Sequence, residues 1–117
     1  METAESVQER VQVELERISD PVLLARTREL LIAPYPEMRP WDYGAPHEYL
    51  CWRVLEHRLS NTGVVFCSKG FGPSTPWGLV WLDESPDSPR RMGPYSSWFA
   101  TLEPAVRDSW AWEGSPR

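Results

Sequence analysis

Residues 48–82 read EYLCWRVLEHRLSNTGVVFCSKGFGPSTPWGLVWL, and this stretch decides the fold. EYLCWRVLEH at 48–57 is β-branched, aromatic and aliphatic, which is strand chemistry. Tyr49, Cys51, Arg53 and Leu55 fall on one face, and Leu50, Trp52, Val54 and Glu56 on the other. The second face reads as the core side. SNTG at 60–63 supplies a turn, and GVVFCS at 63–68 a second strand, so the two form a hairpin. The loop 69–76, rich in Gly and Pro, leads to a third strand, WGLVWL at 77–82.

Outward from this hairpin, the N-terminal side is helical. Ser6 and Glu9 have capping-box spacing, and Val7, Val11, Leu15 and Ile18 then recur on one stripe. The other face carries Glu5, Glu9, Gln12 and Glu16. Asp20-Pro21 marks a second start, because Asp caps well and Pro at the first helical position loses no hydrogen bond. The second helix runs to about Leu31 with Leu23, Leu24 and Thr27 inward. A helical hairpin is the simpler arrangement and one kinked helix the alternative. Residues 33–47, APYPEMRPWDYGAPH, hold four prolines and a glycine and read as a loop.

On the C-terminal side, 83–94 is a polar, proline-rich loop and 97–100 a short fourth strand. Thr101 then caps a helix over 102–112 with Leu102, Ala105, Val106 and Trp110 inward. Residues 113–117 form a loose tail. Helices and strands come in runs, which predicts one α+β domain over 1–117. It has an N-terminal helical hairpin, a small antiparallel sheet of three to four strands and a C-terminal helix.

Charge limits the partners. The chain has 117 residues with 12 basic and 17 acidic side chains, a net charge of −5. The largest basic cluster is Arg90–Arg91, too little to neutralise a nucleic-acid backbone. The reading is no nucleic acid and no membrane, with a basic protein as the partner that suits this charge. Acidity that merely keeps the chain soluble is the plainer account. The N-terminus METAESVQERVQVELER is charged from the start and lacks signal-peptide shape, which points to the cytoplasm. Two cysteines are too few for a secreted disulfide scaffold.

Catalytic patterns are thin. Cys51 and Cys67 stand opposite each other if the hairpin centres near Leu59, so a disulfide or a two-thiolate site is geometrically open. Structural zinc needs four ligands, and Cys51, Cys67, His47 and His57 lack close spacing, so no metal or other cofactor is predicted. Cys67 or Ser68 with His47 or His57 and Asp42 would be a nucleophilic set, without the local motif of a nucleophile elbow. Asp42 and Glu48 would be a carboxylate pair, in a chain too small for a deep cleft. The glycines at 70, 72 and 78 do not have phosphate-loop spacing.

The aromatic set is the distinctive feature, with seven Trp, four Tyr and three Phe. Trp41, Tyr43, Phe71, Trp77 and Trp81, with Asp42 and Glu48, make a candidate aromatic patch with an acidic rim, as in a protein-binding hot spot. The plainer account is that they close a thin core. Val13 and Ile32 lie off the main stripes, which leaves a homodimer open.

WDYGAPHEYLCWRVLEHRLSNTGVVFCSKGFGPSTPWGLVWL at 41–82 and WFATLEPAVRDS at 98–109 resemble small bacterial proteins of the toxin-immunity type. The resemblance implies a non-catalytic inhibitor of a toxin, and it assigns no site residue. The other readings are a small enzyme or ligand binder using His47, His57 and Cys67, and a structural or regulatory subunit of a complex.

Overall fold

The computed structural model describes residues 2–41, 47–85 and 96–109. In chain order these form α1 (Ala4–Arg17), α2 (Pro21–Leu30), β1 (Leu31–Trp41), β2 (His47–His57), a 3-10 turn (Arg58–Ser60), β3 (Thr62–Phe66), β4 (Trp77–Trp81), β5 (Ser97–Phe99) and α3 (Leu102–Arg107). The fold is α+β. The five strands form one antiparallel meander in sequence order, one strand more than the sequence suggests.

The additional strand is β1, in the segment read as a loop. Pro34, Pro36 and Pro40 all fall in it, yet it pairs with β2 from Tyr35↔Arg53 to Trp41↔His47. Proline removes a backbone donor, and a strand tolerates that only where the donor would point away from the sheet. Pro36 and Pro40 are four residues apart on an edge strand, so their missing amides fall in one outer row, and Pro34 lies in the irregular stretch between Leu31 and Tyr35. The ladder to β2 is kept. The same row blunts β1 against pairing with another chain.

All three helices contribute to a core on one face of the sheet. Val7, Val11, Leu15, Ile18 and Leu23 meet Trp52, Val54, Leu55, Val64, Phe66 and Trp77, closed by Leu102, Ala105 and Val106. Val54 and Leu55 both reach this core because the β2–β3 register shifts between Arg53 and Leu55. Strict alternation had put Leu55 on the opposite face, and the bulge turns it over. The other face carries a smaller cluster of Cys51, Val65, Cys67 and Val80, with Tyr49 and Trp98 against it. Gly78 is needed there, because a Cβ would lie 2.6–2.8 Å from the ring of Trp98.

Helix ends follow the sequence in part. Asp20 Oδ1 accepts from the backbone N–H groups of Val22 and Leu23, so α2 is a separate helix with Pro21 first. α1 starts earlier than the Ser6/Glu9 reading. Thr3 is its cap, and Ser6 is the third residue of a Thr3/Ser6 box. Thr101 occupies the cap position of α3, but its side chain makes no capping bond. The described part of α3 ends at Arg107. Trp110, the 86–95 stretch and the 113–117 tail lie outside the described residues. Among the described residues no helix is long and apolar enough to cross a membrane.

Candidate functional site

The β1–β2 ribbon carries the first candidate surface. Its helix-side row is Pro36 against Trp52, then Met38 against Leu50, then Pro40 against Glu48. Trp52 is buried by the helices, whereas Met38 and Leu50 beyond it are 46% and 39% exposed. Two large apolar side chains therefore stand side by side, each partly exposed. A groove of about 640 Å³ opens beside them, lined by Glu2, Glu48, Tyr49, Leu50 and Lys69. Its rim is acidic, with one lysine.

The predicted patch residues are distributed as follows. Trp41 is the last residue of β1 and pairs with His47 at this ribbon end, and Glu48 follows on β2, exposed. Asp42 and Tyr43, which connect the two strands in sequence, lie outside the described residues. Trp77 is elsewhere: it is 2% exposed and meets Phe66 edge-on at 5.0 Å inside the main core. It closes the core rather than forming a surface. Trp81 is half-buried on β4, opposite Thr62. Phe71 is exposed and lies 5.6 Å from Trp98, on the loop after β3. Met38, Leu50 and Trp98 were missed by the sequence reading. Met38 could not be found while its segment read as a loop.

A second site is the cysteine pair. Trp52 pairs with Phe66, which sets Cys51 directly opposite Cys67. The Cys67 amide donates to the Pro76 carbonyl at 2.8 Å, towards β4, so Cys51 and Cys67 are a non-hydrogen-bonded cross-strand pair. Both are free thiols, 0% and 1% exposed. The Cys51 thiol reaches the Tyr49 carbonyl at 3.6 Å. Cys51 pulls the Cys67 pKa down against the effect of burial, and the backbone N–H groups of Gly70 and Lys69 add to it. Cys51 is pushed up by Cys67 and by burial.

The histidines do not join this pair. His57 opposes Thr62, six residues along β2 from Cys51, or about 20 Å at strand rise. His47 is four residues away in the other direction, about 13 Å along the strand. The grouping of His47, His57 and Cys67 into one catalytic set is therefore not assembled. His57 instead contacts Ser60 Oγ through Nδ1 at 2.7 Å, and Ser60 in turn meets Thr62 Oγ1 at 2.6 Å. Burial, followed by the charge of Arg26, lowers its pKa. Among the described residues no group of three or more His, Cys, Asp or Glu is placed to hold a metal ion.

An ion-pair ladder occupies the sheet face beside the cysteines. Glu37 joins Arg39 at 2.7 Å and Arg53 at 2.6 Å. Arg53 joins Glu56 at 2.9 Å, and Glu56 joins Arg58 at 3.0 Å. Arg58 reaches Asp83 at 3.2 Å on the surface. Burial opposes the charge of Arg53, but the bonds to Glu56 and Glu37 together outweigh it and raise its pKa. A groove of about 760 Å³ runs past Tyr35, Glu37, Arg53, Glu56, Arg58 and Asp83. Its charges answer one another, which makes it a structural clamp between β1, β2 and the start of the segment after β4.

Comparison of the chain with family models, with curated proteins and with solved structures returned no match.

Proposed function

We propose that this chain is a non-catalytic protein-binding domain of the toxin-immunity type, acting in the cytoplasm on a basic toxin. The observation that carries the reading is the Met38–Leu50 pair, exposed together at the end of the β1–β2 ribbon. An apolar centre with a polar rim is the anatomy of a protein interface. Here the rim holds Glu2 and Glu48, and the chain as a whole carries −5, so a basic partner is attracted and oriented. The prolines of β1 argue against recognition by strand addition at that edge, so side chains rather than backbone carry the contact. The separation of His57 from Cys67 weighs against the enzyme reading.

The test is affinity capture from the source cells, followed by co-expression. The expected result is one stoichiometric basic protein that is released at high salt, is toxic when expressed alone and is harmless with this chain. A captured protein whose toxicity is unchanged by co-expression contradicts the inhibitor reading.

A further inference from the structure

Cys51 and Cys67 have no part in the proposed interface, yet the register of the sheet and the local electrostatics both single them out. First, register places them opposite each other at a non-hydrogen-bonded position. Such pairs have Cα atoms about 4.5 Å apart, at the short end of the 4.4–6.8 Å window that a disulfide spans. Second, both thiols are buried, and each is the first influence on the other's ionisation. Third, the chain turns immediately after Cys67 and aims the amides of Lys69 and Gly70 at its sulfur. Backbone N–H groups in such a turn favour a negative charge. The two sulfurs are therefore not equivalent. The surroundings of Cys67 favour its thiolate, and Cys51 is the sulfur that stays protonated.

We propose that Cys51 and Cys67 are an oxidisable dithiol, which a hydroperoxide converts into a cross-strand disulfide with Cys67 attacking and Cys51 resolving. The Cys67 thiolate attacks one peroxide oxygen and the O–O bond breaks. Cys67 becomes a sulfenic acid, and hydroxide leaves and takes up the proton that Cys67 released on ionising. The Cys51 thiol then attacks the Cys67 sulfur, the S–O bond breaks, and the Cys51 proton departs with the oxygen as water. In total, two thiols lose two electrons, and hydrogen peroxide becomes two molecules of water. The site is covered, so the oxidant must be small. Peroxide is close to water in size, and the segment over Cys67 is tethered by the Ser68 hydroxyl on Glu2 at 3.0 Å and by a turn bond from Thr75 to Gly72 at 3.3 Å.

The experiment treats the full chain with one equivalent of hydrogen peroxide and follows intact mass and thiol alkylation after denaturation. The expected wild-type product is monomeric, has lost two hydrogen atoms and has no alkylable thiol. Its formation rate rises with pH and levels off well below the ordinary thiol value of about 8.5. In Cys51→Ser the reaction stops at a sulfenic acid on Cys67, which dimedone traps. In Cys67→Ser, Cys51 stays reduced at the same dose. Wild-type protein that keeps both thiols, or that links two chains, overturns the proposal. So does a rate that climbs without a plateau up to the ordinary thiol value. The wild-type arms need no variant to fold.

Discussion

The carboxylate of Glu14, on α1, accepts the backbone N–H of Leu102, the first residue of α3, at 2.9 Å. The two residues are 88 positions apart, and both are buried. A helix start needs an acceptor for its first amides. Thr101 stands at the cap position but does not supply one, and a side chain from another helix does. Glu14 thus holds the C-terminal helix to the N-terminal one. Its second oxygen meets Arg17 at 3.4 Å.

Glu14→Ala leaves that buried amide without a partner. It should cost about 1–3 kcal/mol, by the usual range for an orphaned buried donor. Thr101→Ala should cost much less, because the threonine side chain makes no capping bond. Urea denaturation of the two variants checks the order. Equal losses would contradict the assignment of the cap to Glu14.

Arg53 is the centre of the ladder, bonded to both Glu37 and Glu56, with its Nη2 also 3.4 Å from the Leu82 carbonyl. Arg53→Ala takes from the buried Glu37 carboxylate its bond to Arg53. A loss of about 3 kcal/mol is expected, the scale for breaking a buried pair from one side. Arg58→Ala, at the exposed end, should cost under about 1 kcal/mol. Guanidinium midpoints measure both. A ladder in which Arg58 mattered as much as Arg53 would contradict this account.

His57 predicts a pH dependence. Burial first, and Arg26 second, hold its pKa below the ordinary 6.5. The unfolded chain therefore takes up the proton at higher pH than the native one. The stability due to neutral His57 is complete above 6.5 and is lost as pH falls below it towards the lowered native value. His57→Gln should make stability flatter than wild type as pH falls below 6.5. Urea midpoints across that range are the measurement, and parallel curves would contradict the assignment.

These residues also mark how far the sequence could be read. The helix starting at Pro21 and the β2–β3–β4 order were legible, because each follows from local chemistry. Asp20-Pro21 is a cap, and the cysteine opposition, conditional in the sequence on a hairpin centred near Leu59, is met by the Trp52↔Phe66 register. β1 was not legible, since proline spacing alone does not say whether an outer row of amides is needed. Only its place at the sheet edge shows that Pro36 and Pro40 are tolerated. Leu55 and Glu14 failed for a related reason. A bulge turns one to the other face, and a contact 88 residues away explains the other. Trp77 and Leu50 are both large apolar strand residues, one buried and one exposed. What separates core from ribbon end is the reach of the helices over the sheet, which no local pattern contains.

The most direct test of the protein-binding reading is the affinity of the captured partner for wild type, Met38→Arg, Leu50→Arg and Val22→Arg by titration calorimetry. Val22 is exposed on α2 and serves as a surface control. Arginine at the ribbon end removes apolar contact and meets a basic partner with like charge. Met38→Arg and Leu50→Arg should each bind at least about tenfold more weakly, the scale of a lost hot-spot contact, while Val22→Arg matches wild type. Unchanged affinity in both ribbon variants, with folding intact, would show that the partner binds elsewhere and would contradict the proposed surface.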